Sequence, residues 1–171
     1  MNFWKTFIIT FVVYLALNTV FVLIAMFTNP FFPATDVIFI IASIFSPIAT
    51  SPQIAWIDNG IVPLLATTDL VTDLTLFLSY IIPPLIAIIV GALLGDNQFT
   101  GFGAWFLTAF LSSCLFIVFL AVGQAGSTYT LWGDLISNFG TMGAMISIFF
   151  AGIVNGFFYG CICALITKKW M

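Results

Sequence analysis

Four stretches of the chain are long and almost entirely apolar. They cover residues 7–28, 74–94, 101–123 and 143–167. About 20 consecutive apolar residues are enough to cross a hydrocarbon core roughly 30 Å thick as an α-helix. A lone strand would leave its backbone groups unpaired in lipid, and barrel strands are short and alternating. The pattern therefore predicts an all-α integral membrane protein with four transmembrane helices in one polytopic domain, residues 1–171.

The first loop, residues 29–70, contains two shorter apolar runs at 37–45 and 54–66. Each run is too short to cross the membrane alone. The pair can lie on the membrane surface as interfacial helices, dip in and return as a re-entrant hairpin, or form extra crossings. The sequence leaves these three arrangements open.

Capping residues predict where the short helices of this loop begin and end. Asp36 is a favoured N-cap for a helix that runs to Ser46. Pro52 suits the first turn of a second helix, and Gly60 is expected just past its end. We therefore expect two separate short helices between the first and second spans.

The second loop, residues 124–142, predicts one short amphipathic helix. Its apolar positions fall on one stripe, with Trp132 suited to headgroup depth: Leu131, Trp132, Leu135, Ile136 and Phe139. By contrast, the turn at 95–101 is short and made of turn-forming residues. The second and third spans are therefore expected to form an antiparallel pair.

Composition excludes several classes of protein. Charged residues make up 5% of the chain and apolar residues 63%, whereas soluble domains carry roughly 25% charged residues. Nucleic acid is excluded as a partner, because three basic residues cannot form a basic binding surface. The expected partners are the lipid bilayer and other membrane protein subunits.

The basic residues predict the orientation. Lys5 precedes the first span, whereas Lys168 and Lys169 follow the last one. With four spans both termini lie on one side, and the positive-inside rule makes that side the cytoplasm of an inner or plasma membrane. The first apolar run exceeds the roughly 7–15 residues of a signal-peptide core, so we expect it to remain as a span.

Reactive groups are scarce in this sequence. There is no His, and all Lys residues lie near the chain ends, away from the Ser residues of the spans. Cys161 and Cys163 are two positions apart and point to different sides of a helix. We therefore predict no catalytic residues, no metal site and no cofactor, and we interpret the protein as non-enzymatic.

Small residues recur every four positions on two of the spans. The last span carries one such ridge and the second span another: Gly152, Gly156, Gly160 and Ala164, and Ala87, Gly91 and Gly95. Such ridges let helix backbones approach closely in lipid. They predict helix packing, either inside the chain or against a partner subunit.

A few polar or irregular positions inside the spans form a candidate polar or transport site. Asn18 and Asn155 lie halfway along the first and last spans, where they can bond to each other or to backbone carbonyls. Pro83 and Pro84 interrupt the second span just after Tyr80 and should free backbone carbonyls there. Breaks of this kind occur at transporter sites and also in ordinary membrane helices.

Asp69 and Asp73 precede or begin the second span, four residues apart on one helix face. Carboxylates are favoured at a helix N-terminus by the free N–H groups and the helix dipole. We interpret the pair as a helix cap, with a weak cation site as the alternative.

Two functions are compatible with these features of the sequence. The leading hypothesis is a small accessory or structural subunit of a membrane complex, which rests on the glycine ridges and the absence of reactive groups. The alternative is a component of a small-solute or ion transporter, which rests on Asn18, Asn155, Tyr80 and the Pro83–Pro84 break.

Overall fold

Four long helices make up most of the protein. The computed structural model describes residues 2–29, 32–48, 50–66, 69–123 and 130–169, and at 123, 130–135 and 168–169 it describes the backbone alone. The long helices are α1 (Phe3–Thr28), α4 (Leu70–Leu94), α5 (Gln98–Gly123) and α6 (Thr130–Lys169). All four are long and apolar enough to cross a membrane. The prediction of an all-α, four-span membrane protein is confirmed.

The long helices begin before the apolar runs because polar caps extend them. The side chain of Asn2 accepts a hydrogen bond from the Trp4 N–H at 2.8 Å, so α1 begins at Phe3. In the same way, the side chain of Asn97 accepts from the Thr100 N–H at 2.9 Å. Each cap pairs an N–H that the helix itself cannot pair. The spans therefore start several residues earlier than hydropathy indicated.

The fourth long helix has a break at Gly140, whose φ of 67° and ψ of 167° are non-helical. A positive φ is readily adopted by glycine, because it has no Cβ. The break separates a helical segment at 130–139 from the predicted span. The amphipathic helix predicted in the second loop is thus present as backbone, whereas its Trp132 side chain and residues 124–129 lie outside the described part.

The termini and the 95–101 turn share one end of the bundle. A Cβ on Gly103 would lie 3.0 Å from the Phe3 ring, and a Cβ on Gly101 would lie 2.8 Å from Thr167 Oγ1. Phe3 begins α1 and Thr167 is near the end of α6. We call this end the terminal side and the opposite end the loop side.

Residues 37–48 and 50–66 include two short helical limbs on the loop side. The first limb is α2 (Val37–Phe45), followed by a 3-10 turn (Ser46–Ile48). The second limb is a π-helical segment (Ile54–Ile61) that continues into α3 (Val62–Ala66). Asp36 caps α2 as predicted, since its Oδ1 accepts from the Phe39 N–H at 2.9 Å.

The predicted role of Gly60 is wrong. The second limb does not end there but continues to Ala66. Gly60 is buried, and a Cβ at this position would lie 2.5 Å from the Phe77 ring of α4. Glycine is needed here for close approach between the limb and α4, which the sequence pattern alone did not distinguish from a helix end.

The tip between the two limbs reaches the middle of the bundle. Asn18 of α1 donates from Nδ2 to the Ile44 carbonyl at 2.7 Å. Nδ2 of Asn155 in α6 donates to the carbonyls of Ile48 (3.0 Å) and Thr50 (2.6 Å). Both Asn residues lie midway along their spans, so these contacts favour the re-entrant alternative. We call residues 37–66 the re-entrant hairpin.

Candidate functional site

A cavity of about 360 Å³ lies between the re-entrant hairpin, α1 and α4. Its rim on the loop side includes Thr28, Asn29 and Phe32. At this level α2 contacts α1 and the π-helical limb contacts α4, while α1 and α4 also contact each other, since Thr72 Oγ1 of α4 lies 3.4 Å from the Thr28 carbonyl oxygen of α1. We call this cavity the loop-side pocket.

Two of the residues proposed from sequence form the floor of the loop-side pocket. Asn18 lies ten residues before Thr28, the last residue of α1, and Tyr80 lies ten residues after Leu70, the first of α4. At 1.5 Å per residue both are about 15 Å from the loop-side helix ends, which is half of a core roughly 30 Å thick. The floor of the pocket therefore lies about halfway along α1 and α4.

Asn18 has an unused acceptor at this floor. The residue is only 1% exposed, and its Nδ2 is committed to the Ile44 carbonyl. Its Oδ1 is buried and has no hydrogen-bond partner among the described residues. A buried acceptor without a donor costs roughly 1–3 kcal/mol, and the Tyr14 hydroxyl, which also lacks a partner and faces the Asn18 side chain, is a protein group that can supply the donor.

The Pro83–Pro84 pair lies directly below the floor, where both residues are buried. Because proline has no N–H, the carbonyls of Ser79 and Tyr80 lose the donors that would reach them in a regular helix. Ser79 and Tyr80 both line the loop-side pocket. The proline pair thus places two underused carbonyls at the level of the floor.

The pocket is closed towards the terminal side. Tyr14, one turn below Asn18 on α1, is fully buried and meets the buried ring of Trp105 edge-on at 5.6 Å. Trp105 in turn contacts the Tyr159 ring at 5.7 Å. These rings from α1, α5 and α6 fill the centre of the bundle and close the cavity towards the terminal side.

Asn155 has a different position from the other polar candidates. It does not line the loop-side pocket but supports the hairpin tip from the α6 side. One turn further along α6, the Tyr159 hydroxyl accepts a hydrogen bond from Trp56 Nε1 at 2.8 Å. Asn155 and Tyr159 therefore hold the hairpin in place. Asn18 also holds the hairpin and, in addition, lines the loop-side pocket.

The α6 glycine ridge lies against α5 of the same chain. A Cβ on Gly152 would collide with the Ser113 side chain, and one on Gly156 would lie 2.8 Å from the Phe106 ring. A Cβ on Gly160 would lie 2.9 Å from the Phe102 ring. Ala164, which continues the ridge, is half-buried.

The α4 ridge does not pack on the α6 ridge. Ala87 is fully buried. A Cβ on Gly91 would lie 2.9 Å from Thr10 Oγ1 of α1, and one on Gly95 would lie 3.2 Å from the Gly101 backbone nitrogen. Both ridges are therefore used for close packing inside the chain.

Asp69 and Asp73 lie at the loop-side start of α4, outside the lining of the pocket. Asp69 is the N-cap: its Oδ2 accepts from Thr72 Oγ1 at 2.7 Å and its Oδ1 from the Thr72 N–H at 3.3 Å. The hydrogen bonds from the Thr72 hydroxyl and backbone lower the pKa of the Asp69 carboxyl. Among the described residues no group of three metal-ligating side chains is present.

Sequence reasoning missed the polar face of α1 and the hairpin's share of the pocket. Thr6, Thr10 and Tyr14 are completely buried and continue the line of Asn18 at every fourth position. The four-residue spacing was the signal that could have found them. Asp58 lines the pocket only because the second limb folds back against α4, which no local pattern shows.

Comparison with known proteins gives no assignment. No family model matches the chain, and no curated protein and no solved structure is significantly similar to it. Its function is therefore argued from the geometry of the loop-side pocket.

Proposed function

We propose that this multi-pass membrane protein is a solute-binding component of a small-solute transport system, with the loop-side pocket as its binding site. One observation carries the proposal: a cavity beside the loop-side halves of α1 and α4 ends in polar groups about halfway along these two spans. Binding sites of transporters lie near the midplane, where interrupted helices expose backbone groups. The volume is at the lower end of the range for small-molecule pockets, about 300–1,000 Å³.

The accessory-subunit hypothesis receives less support. It relied on glycine ridges as surfaces for a partner, but Gly91, Gly95, Gly152, Gly156 and Gly160 all meet neighbours in their own chain. The proposal keeps the protein non-enzymatic, because the pocket brings together no nucleophile with a matching base.

We further propose that the terminal side faces the cytoplasm, so that the pocket opens to the outside. The basis is the placement of Lys5, Lys168 and Lys169 at the terminal end. Single cysteines at the exposed positions Asn97 and Ala34 report on the two sides. In right-side-out membranes, an impermeant thiol reagent should label Ala34→Cys and spare Asn97→Cys; the reverse result would contradict this orientation.

A labelling experiment tests the pocket itself. In a variant whose native cysteines are replaced by Ala, Thr75→Cys places one thiol in the pocket lining. We expect a water-soluble maleimide to label it much faster than it labels the fully buried Cys163 in a second variant, which keeps Cys163 and carries Cys114→Ala and Cys161→Ala. Ala25→Trp, which fills the pocket from α1, should slow the reaction, whereas Ala16→Trp on the lipid-facing side of α1 should not.

Binding and transport are then tested with small-molecule extracts. A compound that protects Thr75→Cys from the maleimide is identified by mass spectrometry and offered to cells that express the protein. Uptake should require the protein and should fail in Ala25→Trp but persist in Ala16→Trp. If Thr75→Cys reacts no faster than Cys163, or if uptake is indifferent to Ala25→Trp, the proposal is wrong.

A further inference from the structure

Four of the seven hydroxyl-bearing residues that line the loop-side pocket present lone pairs rather than protons. Four pocket residues donate their hydroxyl hydrogens to the protein: Thr28 to the Ile24 carbonyl, Ser46 to Ser43, Ser79 to Leu76, and Thr72 to the Asp69 carboxylate. A hydroxyl that has spent its single proton can only accept further hydrogen bonds. These groups therefore add to the acceptors at the floor.

The floor of the pocket also offers hydrogen-bond acceptors. Asn18 uses its Nδ2 in the hairpin and keeps a buried, unpartnered Oδ1. The carbonyls of Ser79 and Tyr80 lack their regular helical donors because Pro83 and Pro84 follow. A ligand that satisfies this floor must bring N–H or O–H donors.

The charge and the aromatic rings of the pocket lining indicate which kind of N–H or O–H donor the ligand carries. Asp58 is the charged residue among those that line the pocket. The basic residues of the chain are Lys5, Lys168 and Lys169, all near the terminal side, so no basic side chain balances Asp58. The walls carry the rings of Phe21, Phe32, Phe39 and Tyr80. Ring faces attract cations, and more strongly where water is excluded.

From these observations we propose that the loop-side pocket binds a small organic ammonium compound, with its N–H donors towards Asn18 and its apolar body between the aromatic walls. This inference rests on the proposed function and names the class of solute. An anion is disfavoured by the Asp58 carboxylate, which no basic side chain of the lining balances. A bare alkali-metal ion would leave most of the 360 Å³ filled with water.

Three probes of nearly equal size and shape test the proposal. The probes 2-phenylethylammonium, 2-phenylethanol and phenylacetate carry a cationic, a neutral and an anionic head group on a similar body. Each is titrated as a protectant of Thr75→Cys against a neutral maleimide, at constant ionic strength. We expect the ammonium compound to protect at a roughly tenfold lower concentration than the alcohol, and phenylacetate to protect least.

Asp58→Asn is the informative variant, because Asp58 is exposed at the pocket wall and its loss should not affect folding. We expect it to remove most of the preference for ammonium over alcohol while leaving protection by the alcohol unchanged. Asp73→Asn is the matched control: it makes the same charge change on the same side but outside the pocket, and should keep the preference.

The outcomes separate the two proposals. If Thr75→Cys is accessible but the alcohol or phenylacetate protects as well as the ammonium compound, the ligand class is wrong and the pocket stands. Protection by sodium chloride alone, or by none of the probes, would equally overturn the ammonium assignment. If Thr75→Cys is inaccessible, the proposed function fails together with this inference.

Discussion

The two halves of the bundle are built from the same helices but packed in opposite ways. On the terminal side, helix backbones approach closely at small residues, as Gly95 does to Gly101 and Gly91 to Thr10. On the loop side, α1 and α4 still meet at Thr28 and Thr72, but the re-entrant hairpin packs against both helices and a cavity lies between the three. Small residues therefore mark the closest helix contacts of the terminal side, whereas the hairpin accompanies the cavity of the loop side.

The lipid environment explains why these helices associate through close contacts and hydrogen bonds. Lipid chains are as apolar as the helix surfaces, so association depends on close contact and interhelical hydrogen bonds. Glycine supplies the contact in the terminal half, whereas Asn18 and Asn155 supply the bonds that hold the hairpin in the loop half. Changes to glycine and to asparagine should therefore damage different halves.

The largest effect is expected for Gly160→Leu. Its side chain would have to occupy space already filled by Phe102 and would push α6 away from α5. Overpacking typically costs about 1–3 kcal/mol, and this site should be at the upper end. Thermal unfolding followed by size-exclusion chromatography measures the loss. The neighbouring change Cys161→Leu points towards lipid and should be tolerated; equal losses for both would contradict the packing shown here.

The sequence predicted the glycine contacts of α6 better than it predicted the loop half. Regular spacing identified Gly152, Gly156 and Gly160 as packing positions, since small residues on one helix face have few other uses in a membrane. It did not identify their neighbours, because Ser113 and Phe102 belong to a helix whose rotation only the fold determines.

The loop half depends on contacts between residues far apart in the chain. Asn18 and Tyr80 were noted separately as polar positions, but their meeting at one floor depends on how α1 and α4 align. The sequence did not decide between the interfacial, re-entrant and spanning arrangements of residues 37–66. The reason is that the carbonyls at the hairpin tip are paired by Asn155, over a hundred residues later in the chain. Apolar length alone cannot tell a re-entrant limb from an interfacial helix.

A smaller loss is expected for Asn155→Leu, and it should be confined to the loop half. The carbonyls of Ile48 and Thr50 would lose their donor, which costs roughly 1–3 kcal/mol for buried groups. Limited proteolysis should cut residues 50–66 faster while the terminal half stays protected. Asn138→Leu, an exposed position on the same helix, is the control and should not change the cleavage rate.

The smallest effect is expected at Asp69, which separates the cap from the cation-site hypothesis. Its pKa is lowered in the folded protein by hydrogen bonds from Thr72. The stabilisation is therefore present at neutral pH and is lost as the pH falls through the lowered pKa. Asp69→Ala should reduce Tm slightly at pH 7 and less at pH 3. A Tm that depends on one specific cation, and loses this dependence in Asp69→Asn, would instead support a cation site.

The long-range bonds of the re-entrant hairpin also constrain how the protein is made. Ribosomes release residues 37–66 well before Asn155, so the tip carbonyls of Ile48 and Thr50 have no amide to pair with when they first reach the translocon. Unpaired backbone groups are expensive in lipid, which favours holding this segment in water or inside the translocon until the last helix arrives. The re-entrant hairpin would then take its final place only after α6, the last helix to be synthesised. The loop-side pocket would be the last part of the bundle to form.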